Sequence, residues 1–155
     1  TLLQTVRGEW PCVPFGYTTP AGPATPPAWA AVMAPAAPDE WAHGYGSHHD
    51  WEWDDSPGAI AIHIDYPEGD PVRRLTRVLR PDPDSAAIDL TLTIEARAEC
   101  ALPLGLHYTF AMPDQPGALH LDPGAFAEGR TFPGRFEEGR SLLATDAGFA
   151  DLTRA

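Results

Sequence analysis

The sequence predicts an all-β protein on three observations. Eighteen prolines and 14 glycines in 155 residues are too many breakers for a helical bundle, because each interior proline costs a helix about 3 kcal/mol. Three runs alternate apolar and polar residues with the period of a strand. Clusters of Pro, Gly, Asp and Ser separate those runs and supply the turn chemistry that an antiparallel meander needs. The length suits a single domain over 1–155.

Taken in order, the elements begin with Arg7-Gly8-Glu9-Trp10-Pro11-Cys12-Val13-Pro14-Phe15-Gly16, which reads as an irregular Gly/Pro segment. Residues 18–38 are rich in proline and alanine and carry no charge; proline restrains the residue before it and donates no backbone hydrogen bond, so a long loop is expected. In 59–66 the residues Ile60, Ile62, Ile64 and Tyr66 fall on one face, with Ala61, His63 and Asp65 on the other, the pattern of a half-buried strand. A second strand is expected from Arg74 to Arg80, then a turn at Pro81-Asp82-Pro83-Asp84-Ser85.

The clearest alternation follows. Ile88, Leu90, Leu92, Ile94 and Ala96 interleave with Asp89, Thr91, Thr93 and Glu95, so 74–96 reads as a hairpin with one wet face. A further strand from Leu104 to Met112 places Leu104, Leu106, Tyr108, Phe110 and Met112 on an apolar face. Its other face holds Gly105, His107, Thr109 and Ala111, so His107 stands on a floor of small side chains with space for a ligand beside it. Beyond Leu121, short strands and turns are expected; the two Glu-Gly-Arg copies at 128–130 and 138–140 are too few for a repeat architecture.

Charge and cysteine usage narrow the function. With 22 acidic residues against 10 basic ones the net charge is −12, which repels nucleic-acid phosphates and anionic lipid, so neither nucleic acid nor membrane is an expected partner. Every basic residue is an arginine, suited to planar, bidentate recognition. No stretch reaches the ~20 apolar residues of a membrane span, and the first seven residues lack a signal-peptide layout, so a cytoplasmic protein is expected. Cys12 and Cys100 are read as two buried thiols in a reducing compartment, neither disulfide nor metal pair.

The candidate chemistry lies in three places. Arg7 can pair with sugar hydroxyls or an anionic group. His43, His48 and His49 crowd one short segment, and all five tryptophans, including Trp10, Trp51 and Trp53, lie in the first 53 residues. Rings beside imidazole, carboxylate and arginine suit a carbohydrate, whose apolar faces stack on aromatics. A metal-binding, cupin-like barrel using His43, His48 and His49 is an alternative, although adjacent His48 and His49 would point to opposite faces of a strand.

In order along the chain, Arg7-Gly8, Pro11-Cys12 and Pro14-Phe15-Gly16, then His43-Gly44-Tyr45 with Trp51, then Gly105-Leu106-His107-Tyr108-Thr109-Phe110 resemble the signature segments of the aldose 1-epimerase, or galactose mutarotase-like, superfamily. The hexose-6-phosphate epimerase-like branch is the nearest in pattern. The resemblance implies a large antiparallel supersandwich that isomerises a sugar, hexose or hexose phosphate, by ring opening with no cofactor and no metal. It makes His107 the acid toward the ring oxygen and His43 its partner, with Arg7 on the substrate and Trp10 and Trp51 as stacking rings. Gly46-Ser47 stands where the branch has Ala-Arg, and Glu9 where it has glycine. The family's catalytic glutamate and a sugar-binding aspartate have no counterpart in this chain, so the expectation is a domain that is incomplete relative to the family. A non-catalytic carbohydrate-binding sandwich is the alternative within that fold.

Overall fold

A computed structural model describes residues 8–15, 43–111, 113–131, 144 and 147–152. These are mostly β-strand in antiparallel sheets, and the one helical element is a single 3-10 turn, Tyr45–Ser47. The strands are β1 (Gly8–Cys12), β2 (Glu52–Asp54), β3 (Ile60–Asp65), β4 (Val72–Pro81), β5 (Ile88–Ala96), β6 (Gly105–Thr109), β7 (Gly129–Arg130) and β8 (Gly148–Phe149). The chain packs as two compact units, 1–110 and 111–155. No helix among the described residues is long and apolar enough to cross a membrane.

In the first unit β2, β3, β4 and β5 form a four-stranded sheet in sequence order, and β1 pairs with β6 in a two-stranded ribbon. The β4–β5 hairpin matches the sequence reading: Asp82 N–H donates to the Ala87 carbonyl and Asp84 N–H to the Asp82 carboxylate, closing the turn. The strand register sets up three rows across one face: Ile60–Leu79–Leu90, Ile62–Arg77–Leu92 and Ile64–Leu75–Ile94. Val13, Ile64, Tyr66, Val72 and Leu75 form the core, with Trp51, Leu92 and Leu102 packed on it.

A charge sits in the middle row. The Arg77 guanidinium is 4 % exposed and meets the Glu9 carboxylate from β1 at 2.5 Å; Glu9 is 9 % exposed. Both groups give up hydration and each depends on the other for compensation. The opposite face of the sheet is polar. There Arg74 holds Asp65 through two bonds of 2.7 Å, which keeps the Asp65 carboxyl below the usual carboxylate range. His63 lies beside Asp54 at 2.9 Å.

Several expectations need correction. The segment read as irregular forms β1, and Pro11 is accommodated because the two-stranded ribbon is all edge, where a missing N–H is tolerated. The strand expected at 104–112 is shorter, Gly105–Thr109. Its apolar row faces outward: Leu104, Leu106, Tyr108 and Phe110 are 57, 42, 48 and 52 % exposed. Alternation shows which side chains share a face but not whether another layer reaches that face, and among the described residues none covers this one. Cys12 is buried, but Cys100 is exposed in the irregular link before β6; both are free thiols. The loop expected at 18–38 lies outside the described residues.

In the second unit β7 pairs with β8. Thr131 ties the strands' flanks together, donating its hydroxyl to the Ala144 carbonyl at 2.6 Å and its N–H to Ala147. Phe126 meets Phe149 edge to face. The Glu-Gly-Arg copy at 138–140 lies outside the described residues.

Because the ion pair is buried, removing one member strands the other. Arg77→Ala is expected to lower unfolding free energy by about 3–5 kcal/mol in urea titration, whereas the double variant Glu9→Leu/Arg77→Met regains most of the loss.

Candidate functional site: a histidine pair beside Trp10

Trp10 and His107 are directly opposed in the β1–β6 ladder. Side chains of directly paired residues lie on the same face, and here the indole and imidazole stack with centroids 4.1 Å apart and planes within 9°. His43 comes from a different part of the chain and presents itself edge-on to His107, centroid to centroid 5.6 Å at 78°. Phe15 flanks His43 at 5.5 Å. Three segments remote in sequence thus converge on one pair of imidazoles.

The approach of His43 is fixed by glycines and a tyrosine. Gly44 has φ +84° and lies so close to the Val13 carbonyl that a Cβ would collide with it. Only glycine meets both demands. His43 itself is left-handed at φ 66°, and its carbonyl accepts the Ser47 hydroxyl at 2.8 Å. The buried Tyr66 hydroxyl donates to the Val13 carbonyl at 2.8 Å and accepts the Gly46 N–H at 3.1 Å. One phenol therefore fastens the end of β1 to the turn that follows His43. Trp51 completes the clamp by donating its indole N–H to the Gly46 carbonyl at 2.8 Å.

Electrostatics follow burial. The His43 pKa lies below its ordinary 6.5, chiefly because burial disfavours the charged ring, with His107 and His48 adding repulsion. Burial pushes the Tyr66 phenol up to about 12, so it stays a donor, and the Cys12 thiol up to about 11, aided by Glu9. A thiol so placed is a poor nucleophile. In His107, Nδ1 is enclosed without a hydrogen-bond partner among the described residues.

Of the residues singled out in the sequence, His43, His107 and Trp10 are brought together. Trp51 packs on the core and steadies the His43 turn. Arg7 lies outside the described residues. The space expected over Gly105 is taken by Phe15, whose ring occupies the position of a Cβ there. His49 stacks on Tyr45 at 3.6 Å and donates from Nδ1 to the Tyr45 carbonyl. Among the described residues no group of three or more His, Cys, Asp or Glu side chains is placed to hold a metal ion, so His43, His48 and His49 do not assemble as the cupin-like alternative requires. Sequence reasoning missed the parts played by Tyr66 and Phe15. Tyr66 was legible as a core residue at the end of an apolar row, but its two bonds depend on where Val13 and Gly46 meet.

Tyr66→Phe keeps the ring and leaves two buried partners unpaired, so a loss of about 1–3 kcal/mol is expected in urea titration. A folded pKa below the unfolded value means that the unfolded imidazole protonates first as pH falls. Stability should therefore decline as pH drops below about 6.5, and His43→Asn should flatten that part of the profile in urea midpoints.

No family model, curated protein or solved structure matches this chain.

Proposed function

We propose that the chain is a carbohydrate isomerase of the aldose 1-epimerase-like, galactose mutarotase-like sandwich type, interconverting sugar anomers by ring opening at the His43–His107 pair. The observation that carries this reading is the edge-to-face approach of His43 to His107 at 5.6 Å beside the ring of Trp10. Opening a hemiacetal needs one proton delivered to the ring oxygen and one removed from the neighbouring anomeric hydroxyl. Two adjacent imidazoles can serve two adjacent oxygens, and imidazole titrates near neutrality.

In this reading His107 gives a proton from Nε2 to the ring oxygen as the bond from that oxygen to the anomeric carbon breaks. His43, held neutral by burial, takes the proton of the anomeric hydroxyl as its oxygen becomes the carbonyl. The open aldehyde turns about a single bond, and the reverse transfers close the ring on the other face. Trp10 holds His107 in orientation and offers aromatic surface to the sugar; the resemblance assigns Arg7 to the substrate's hydroxyls or phosphate.

The test is exchange NMR on α- and β-glucose and galactose and their 6-phosphates. Exchange above the spontaneous rate is expected, falling about 10²–10⁴-fold in His107→Ala and in His43→Ala. Sugar binding without exchange would overturn the isomerase and favour a non-catalytic carbohydrate-binding protein.

A further inference from the structure

The free margin of the four-stranded sheet is independent of the histidine pair. The sheet ends on β2, which has three residues, and on β5, which has nine and no neighbour on its outer side among the described residues. A strand this long displays a row of unpaired backbone donors and acceptors. It contains no proline, glycine or lysine to discourage pairing. Its apolar row is open at one end, with Ile88 67 % and Leu90 36 % exposed. At that end an apolar cleft of about 320 Å³ is lined by Gly58, Ala59, Ile60, Leu79, Pro81 and Ile88.

Charge selects the occupant. Full-length antiparallel pairing with a second copy, centred on Leu92, would oppose Asp89 of each chain to Glu95 of the other, and directly opposed like charges destabilise a ladder. The whole chain, at −12, also repels its own kind. Among the described residues Asp89 makes no ion pair, although Arg80 is its partner across the ladder, and Asp82 and Asp84 extend the acidic character around the hairpin turn. Glu95 is held by Arg73 at 3.2 Å, so Asp89 and the turn carboxylates carry the charge preference, and a strand with basic side chains on the Asp89 face and apolar ones over Ile88 and Leu90 meets these features.

We propose that β5 is a docking edge for an extended segment of a partner protein in which apolar residues alternate with arginine or lysine. The segment adds a fifth strand to the sheet, its backbone pairing with β5. One large apolar side chain enters the cleft beside Ile88. This is strand addition, in which main-chain bonds give affinity and alternate side chains give specificity.

The probes are three labelled peptides of the length of β5: alternating Val and Arg, the same residues arranged as a Val block and an Arg block, and alternating Val and Glu. Fluorescence anisotropy reads affinity and amide hydrogen exchange reads pairing. The alternating basic peptide is expected to bind about tenfold tighter than the blocked one, to slow exchange at residues 88–96, and to weaken with salt. The acidic peptide should not bind. Asp89→Lys, an exposed change outside the histidine site, should weaken the basic peptide about tenfold while leaving the fold intact by circular dichroism. Equal binding of the blocked peptide, or unchanged exchange at 88–96, would overturn the proposal. So would concentration-dependent dimerisation abolished by Leu90→Lys, since the occupant would then be a second copy.

Discussion

The buried pair between Glu9 and Arg77 governs the geometry of the first unit. Adjacent residues of a strand point to opposite faces, so once the Glu9 carboxylate is committed to Arg77, Trp10 must face the other way, where its partner across the ladder is His107. A slip of β1 by one residue would reverse both assignments. It would bury an indole where the guanidinium waits, and leave that cation without compensation. A charge in the middle of an apolar row gains little net stability over a hydrophobic pair, but it makes wrong registers costly. Glu9 is thus the residue that orients the candidate site.

The second constraint is local and acts on His43. Gly44 fits under the Val13 carbonyl because it lacks a Cβ, Gly46 fits between Tyr66, Trp51 and Leu75, and the Tyr66 hydroxyl is bonded on both sides. The imidazole of His43 is therefore carried on a turn with little freedom. Positioning of this kind is what the proposed proton transfer needs, since transfer falls away steeply with misalignment. Phe15 lies on Gly105 and beside His43, adding an aromatic wall to one side of the pair.

Much of this was legible in the sequence, and the rest was hidden for identifiable reasons. The β4–β5 hairpin was readable because its turn chemistry and its period of two agree and because the contacts are local. His43 and His107 could be singled out as residue types, and the structure sets them together. The strand β1 was not legible, since Gly8 and Pro11 mask its pattern and its stability comes from a partner far along the chain. The outward turn of Leu106 and Tyr108 was equally invisible, because a row of apolar side chains predicts a shared face and says nothing about what covers it. The Arg77 pairing could not be foreseen either, as an arginine in an amphipathic strand ordinarily reaches solvent.

The ladder between β1 and β6 also has a kinetic meaning. Strands β2 to β5 pair with their sequence neighbours, so each step closes a short loop, whereas Trp10 and His107 join across most of the first 110 residues. Closing that long loop costs entropy which only the finished sheet can offset. Loop-closure entropy thus favours the four-stranded sheet forming before the ribbon that bears the histidine pair. The histidine pair therefore depends on contacts that only the finished sheet supplies, the Arg77 guanidinium under Glu9 and the Tyr66 hydroxyl on the Val13 carbonyl.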